Sequence, residues 1–135
     1  MVSQTNDVVK YEVKIGHAIL TFIDTPGFGD TKGFDADEEH AEKIRMSVLQ
    51  EGGINCICVV QSGREARMTD QLNYSFSSLM EVLPKSVTNQ IIVVYTNSEN
   101  VELNSFQHDS LNDSLGLQKD VLIPYVCVEN PLATN

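Results

Sequence analysis

A short motif that combines a carboxylate with a glycine is the most chemically suggestive feature of this sequence. Asp24, Thr25, Pro26 and Gly27 directly follow the apolar run at residues 18–23. A carboxylate held at the end of a strand can reach Mg²⁺, usually through a water molecule. A glycine three residues later leaves its backbone N–H open to a γ-phosphate. The motif therefore predicts a loop that senses magnesium and phosphate, although Asp and Gly are also common in ordinary turns.

Two later loops carry further candidate ligand-binding residues. Thr96, Asn97 and Glu99 follow one short apolar run, and Glu129 and Asn130 follow another. In parallel α/β sheets, ligands bind outside the carboxyl ends of the strands. We therefore expect these loops to contribute to one site, whereas the alternative for each is an ordinary polar loop.

An antiparallel hairpin must position the first motif. Apolar and charged residues alternate over positions 9–15, which is typical of a half-exposed edge strand. Gly16 and His17 supply a two-residue turn of the kind favoured in hairpins. The nearly continuous apolar run at residues 18–23 then predicts a strand buried on both faces.

Helices and buried strands alternate through the rest of the chain. The predicted helices cover residues 37–50, with Ala41, Ile44 and Val48 facing inward, and the segment between Thr69 and Pro84, with a further short helix near residues 105–115. The predicted buried strands are residues 54–60 and 91–95, and residues 124–128 form a last predicted strand. This order predicts an α/β fold with a three-layer, mostly parallel sheet and an antiparallel edge hairpin.

Composition and cysteine placement exclude several classes of protein. The net charge of −10, with nine Lys and Arg residues, argues against a nucleic-acid-binding surface. No apolar stretch approaches the roughly 18–20 residues needed to span a bilayer. Cys56, Cys58 and Cys127 lie in apolar runs, which predicts buried, reduced thiols in a cytoplasmic protein. Their spacing does not suit zinc.

The segment IDTPGFGDT resembles the second switch loop of septins and of the immunity-associated (avirulence-induced) GTPases, both of which are P-loop GTPases. The resemblance extends over about residues 3–130. It implies a P-loop NTPase fold, GTP or GDP and Mg²⁺ as ligands, and a switch that hydrolyses GTP. It also implies that Thr5, which lies 24 − 5 = 19 residues before Asp24, binds Mg²⁺ and takes part in catalysis together with Gly27.

The same resemblance implies roles for the later loops. Thr96, Asn97 and Glu99 would read the guanine base, with Glu99 accepting its hydrogen bonds, and Asn130 after Glu129 would pack near the base. Here the sequence departs from the family, because a serine stands where a stacking lysine is usual. These residues therefore do not choose guanine over adenine, and an ATPase remains an alternative.

Two arginines are candidates for contacts between protomers. Arg64 and Arg67 stand in a segment that resembles the loop through which these relatives pair their nucleotide-binding faces. A homodimer in which either arginine neutralises phosphate charge is one interpretation. The alternative is that both are solvated charges on a very acidic protein.

The phosphate-cradling P-loop is not among these residues. No G-x-x-x-x-G-K followed by Ser or Thr occurs in the 135 residues, and the strand that carries it would lie between those ending at Asp24 and Val60. We therefore expect residues 1–135 to be a partial GTPase domain that is not competent alone, with two strand edges left unpaired or paired with each other. Phe28 replaces the glutamine that often orients water, which predicts slow or partner-dependent hydrolysis. The alternative is a nucleotide-free interaction module on the same scaffold.

Overall fold

Strands and helices alternate along the chain, and this confirms the predicted α/β class. The computed structural model describes residues 7–27, 34–64, 70–98, 111–118 and 120–129. Its elements, in chain order, are β1 (Val9–Ile15), β2 (Ala18–Asp24), α1 (Phe34–Gln50), β3 (Ile57–Ser62), α2 (Asp70–Val82), α3 (Lys85–Thr88), β4 (Ile91–Thr96), α4 (Leu111–Ser114) and β5 (Tyr125–Val128).

The strands form two separate sheets. β1 and β2 pair in an antiparallel hairpin that closes at the Ile15–Ala18 pair, with Gly16 in the left-handed region at a φ of 59°. β3, β4 and β5 form a parallel sheet in which the order in space is the order in the chain. In the described part of the chain, β2 and β3 do not pair with each other, so each has one edge without a strand beside it.

Helices cover one face of the parallel sheet, which we name the covered face: Val59 of β3 and Ile91, Val93 and Tyr95 of β4. The register pairs Val59 with Val93, so their side chains project from the same face. All four residues are buried, in one cluster with side chains from α2, α4 and the segment before β5: Phe76, Leu111, Leu115 and Ile123. This cluster is the main hydrophobic core.

A second cluster joins the two long helices. Ile44 and Val48 of α1 pack against Leu79 and Leu83 on and just after α2. Ala41, Ile44 and Val48 are all buried, so the predicted inward stripe of α1 is confirmed. The 3.6-residue period predicted this face because one turn brings positions three and four apart together.

The opposite face of the parallel sheet has no described helix over it, and we name it the open face: Cys58, Val60, Ile92, Val94, Val126 and Val128. Ile92 and Val94 on the central strand are half-buried, and the other four are exposed. Val60 is 64% exposed and Val126 is 53% exposed. The prediction of a buried strand at residues 54–60 was therefore wrong in two ways: β3 begins at Ile57, and of its residues Val59 alone is buried. An apolar run shows that a strand favours burial, but another element must supply the cover.

The hairpin has an apolar face of the same kind. Paired residues of an antiparallel ladder project to one side, and on one side of the hairpin these are Val9, Tyr11, Val13, Ile15, Ala18, Leu20 and Phe22. All of them are exposed. The prediction that residues 18–23 form a strand buried on both faces was wrong, because the described helices do not lie over it.

Two of the three cysteines also differ from expectation. Cys56 and Cys58 are exposed and Cys127 is half-buried, so the prediction of buried thiols was wrong for the first two. Cys56 precedes β3 and Cys58 projects from the open face. Partial burial raises the pKa of the Cys58 thiol, and the neighbouring Cys56 adds to that rise.

The hairpin is attached to the helices through its base. Val8, just before β1, packs on the second cluster. The ammonium of Lys10 lies 2.9 Å from the Glu51 carboxylate, which follows α1, and this hydrogen bond raises the pKa of Lys10. None of the described helices is long and apolar enough to span a bilayer.

Candidate functional site

The carboxyl ends of β3, β4 and β5 meet at one edge of the parallel sheet. The N–H of Gly63, just after β3, donates to the carbonyl of Thr96 at 2.8 Å. The N–H of Ser98, just after β4, donates to the carbonyl of Val128 at 3.3 Å. The predicted residues Thr96, Asn97 and Glu129 are thereby brought to the same edge, where ligands of such sheets bind.

The turn after β4 has a specific backbone shape. Asn97 adopts a left-handed φ of 53°, a conformation that asparagine tolerates better than most residues. Ser98 is buried, and its Cβ lies where it would be 2.6 Å from a Cβ placed on Gly63. Ser98 therefore packs against Gly63, directly after β3.

The Asp24 motif lies at the end of the hairpin. Asp24 is the last residue of β2 and pairs with Val9 across the ladder. Asp24 and Gly27 are exposed, Thr25 is half-buried and Pro26 is fully buried. The buried proline anchors the loop, while the carboxylate and the glycine backbone on either side of it remain accessible.

Comparison of the sequence with family models identifies the family of this chain. The model of the AIG1 family matches residues 2–123. This chain belongs to the AIG1 family. The matched range contains the Asp24 motif, the loop after β3 and the turn after β4, all within a GTPase-type domain.

A solved structure has the same fold. The AIG1 domain described here aligns with a crystal structure of Toc33 from Arabidopsis thaliana, in a dimerization-deficient arginine-to-alanine mutant, with a TM-score of 0.71 and 16% sequence identity. The alignment covers 96% of this chain and 59% of that chain, so this chain spans about three fifths of the length of Toc33 in that structure. No curated protein sequence gives a significant match.

The exposed Arg64 lies beside the strand edge of the AIG1 domain. Its backbone N–H donates to the hydroxyl of Ser62 at 3.3 Å, which holds the start of the loop against the end of β3. The predictions for Thr5, Phe28, Arg67, Glu99 and Asn130 concern residues outside the described ranges.

The described residues offer a magnesium ion few protein ligands. Among the described residues there is no group of three or more His, Cys, Asp or Glu side chains arranged to hold a metal. Mg²⁺ commonly takes one or two carboxylates and completes its shell with water and phosphate oxygens. The exposed carboxylate of Asp24 fits that requirement.

Sequence reasoning missed one polar residue that orders the segment leading into β5. The buried Asn112 of α4 donates through its side-chain amide to the carbonyls of Gln118 at 2.9 Å and Val121 at 2.7 Å. These bonds close the segment that leads into the amino end of β5. No local pattern marked Asn112, because its acceptors lie six and nine residues further along the chain.

A groove lies between α1 and α2. Its lining includes Glu38, Glu42, Tyr74 and Glu81. The hydroxyl of Tyr74 donates to Glu38 Oε1 at 2.6 Å, and this bond raises the pKa of Tyr74. The contact joins the outer sides of α1 and α2.

Proposed function

We propose that the domain binds and hydrolyses GTP as a switch, with the nucleotide at the carboxyl ends of the strands. The observation that carries the proposal is the position of Asp24, Thr25, Pro26 and Gly27 at the end of β2 in a member of the AIG1 family. The joined loops after β3, β4 and β5 support it, because they form the edge at which a ligand of this fold class binds.

The phosphate side of the site uses the hairpin end and the segment before it. Asp24 and Thr5 hold Mg²⁺, which neutralises phosphate charge when bound. Gly27 donates its backbone N–H to the γ-phosphate, and Thr25 and Pro26 hold that backbone in place. Thr5 and Gly27 then order on the γ-phosphate and relax after hydrolysis, which makes the two loops a switch.

The base side uses the other loops. Thr96, Asn97 and Glu99 contact the guanine, with the Glu99 carboxylate accepting hydrogen bonds from its edge. Glu129 and Asn130 close the site after β5. The left-handed turn at Asn97 supports this assignment, because it redirects the chain immediately after the strand.

Nucleotide binding by this domain requires a phosphate-cradling segment that is not among residues 1–135. The unpaired edges of β2 and β3 and the exposed open face support this requirement, since parallel sheets are normally covered on both faces. A strand between β2 and β3, followed by a helix over the open face, satisfies both. We therefore propose that residues 1–135 form a partial GTPase domain.

Hydrolysis by the completed domain depends on a partner. Phe28 follows Gly27, and a phenyl ring can neither donate nor accept the hydrogen bond that orients water. Arg64, exposed beside the strand edge, and Arg67 are the candidates to neutralise phosphate charge across a homodimer. The dimerization-deficient arginine mutant of Toc33 supports this arrangement by analogy.

A second candidate function is a nucleotide-free interaction module. The exposed apolar side chains of the open face and of the hairpin favour it, because contiguous apolar surface of this kind marks interaction sites. In that case the scaffold pairs with a partner and Asp24 has no ligand.

Titration with a fluorescent GTP analogue tests the proposal. The chain is compared, with and without Mg²⁺, with the same chain fused to an upstream P-loop segment. We expect binding by the fused form only, dependent on Mg²⁺ and weakened at least about tenfold by Asp24→Ala, since a charge-assisted contact of this kind is worth about 1.5–3 kcal/mol.

Asp120→Ala is the matched control, because Asp120 is an exposed aspartate on the segment before β5. It should leave affinity unchanged. Equal loss in both variants, or no binding by the fused form, would favour the interaction module. Binding by the unfused chain would overturn the requirement for an added phosphate-binding segment.

A further inference from the structure

Gly63 stands at the closest approach between the loops after β3 and β4. A Cβ at this position would lie 2.6 Å from the Cβ of Ser98, 3.2 Å from its hydroxyl oxygen and 3.2 Å from the carbonyl oxygen of Thr96. The first distance is shorter than real Cβ atoms show, so an added methyl group requires the Ser98 backbone to move.

Space, and not backbone conformation, is what makes glycine necessary here. The φ of Gly63 lies outside the left-handed region, unlike the φ values of 74° at Gly52 and 66° at Gly116. Those two glycines have open space around them, whereas Gly63 is buried against its neighbours. The φ of Gly63 is one that L-residues adopt, but a side chain at this position would not fit.

The close approach fixes the turn after β4 from two sides. The Gly63 N–H bonds the Thr96 carbonyl, and the Ser98 N–H bonds the Val128 carbonyl. Ser98 is thus held between β3 and β5, with Asn97 constrained in its left-handed turn between the two anchor points. Displacement of Ser98 moves the backbone that carries Asn97.

We propose that Gly63 is a positioning residue for base recognition: it admits Ser98 so closely that the turn bearing Thr96 and Asn97 is held in the conformation that contacts the base. The inference rests on the proposed role of these residues in binding guanine.

The test compares Gly63→Ala with the unmodified sequence, both in the form fused to the upstream P-loop segment. GTP and ATP analogues are titrated separately, so that base discrimination is measured apart from phosphate affinity. We expect the GTP-to-ATP affinity ratio to fall about tenfold, as for the loss of one or two hydrogen bonds to the base. The double variant Gly63→Ala/Ser98→Gly removes the opposing Cβ and should restore the ratio.

Gly116→Ala is the control, because it strains a left-handed glycine without crowding any neighbour. It should lower stability and leave the ratio unchanged. A ratio that is unchanged in Gly63→Ala, or a fall that Ser98→Gly does not reverse, would overturn the inference.

Amide hydrogen exchange separates this inference from the proposed function. In the unmodified chain, exchange at Gly63 and Ser98 should be slow, and Gly63→Ala should accelerate it at both positions while the core of β4 stays protected. Accelerated exchange without any nucleotide binding would refute the GTP proposal while supporting the packing role. Unchanged exchange would refute the positioning role of Gly63 directly.

Discussion

The two faces of the parallel sheet have similar apolar composition and opposite surroundings. On the covered face Val93 is fully buried beneath α2 and α4, and on the open face Val60 of the adjacent strand is 64% exposed. Both are valines on parallel strands of the same sheet. The comparison teaches that sequence composition determines which surfaces favour burial, while topology determines which of them the described helices reach.

The largest expected effect comes from placing one aspartate on each face of the sheet. Val93→Asp buries an unpaired carboxylate and should destabilise the chain by about 4 kcal/mol or more. Val60→Asp should change the free energy of unfolding by no more than about 0.5 kcal/mol, because its side chain stays in water. Urea unfolding followed by circular dichroism measures both.

Equal damage from the two aspartates would contradict the contrast. It would mean that the open face is covered in solution by another copy or another segment. Sedimentation of the unmodified chain would then separate a dimer from a monomer.

An effect of intermediate size is expected in α4, one of the helices that bury the covered face. Asn112→Ala removes the donor to the carbonyls of Gln118 and Val121 and loosens the segment between α4 and β5. A loss of about 1–3 kcal/mol is expected, since buried acceptors lose their partner. Asn73→Ala, at an exposed position on α2, serves as the control in the same urea titration and should be nearly neutral.

The smallest effect concerns the outer, charged side of α1. Hydrogen bonding from Arg45 lowers the pKa of Glu42, with Arg45 Nη2 at 2.6 Å from Glu42 Oε1. A lowered folded-state pKa gives stability that is present above the unfolded pKa and is lost as pH falls through the folded one. Glu42→Gln should therefore reduce the urea midpoint slightly at neutral pH.

The difference between Glu42→Gln and the unmodified chain should vanish in acid, where Glu42 is protonated in both states. A difference that persists in acid would assign the effect to helix propensity instead of to the ion pair. The pair lies on the surface, so added salt should also shrink the difference.

The elements with a clear period were predictable from the sequence. The stripe of Ala41, Ile44 and Val48 was found because its spacing alone defines a face. The apolar run at residues 91–95 predicted β4, in which Ile91, Val93 and Tyr95 are buried and the residues between them are half-buried. The short helix α3 was not predicted, since Pro84 signals the end of α2 as well as the start of another helix. Burial of β2 and β3 could not be predicted, because it depends on what lies across from them.

The candidate site also contains features that the sequence predicted and features that it did not. The positions of Asp24 and Thr96 at strand ends were predictable from where apolar runs stop. The packing of Gly63 on Ser98 was not, because it depends on which strands are neighbours in space. The bonds from Asn112 likewise join positions that no local pattern relates.

The order β3-β4-β5 has a consequence for handedness. Crossover connections between parallel strands are almost always right-handed, so a sheet wound steadily in one direction carries all its crossovers on the same side. α2 and α4, which both pack on the covered face, follow this rule. The exposure of the open face therefore follows from winding the three strands in one direction. Helices over the open face require the winding direction to reverse on the free side of β3. Such a reversal opens a crevice at the carboxyl ends of the strands, beside Gly63 and Ser98.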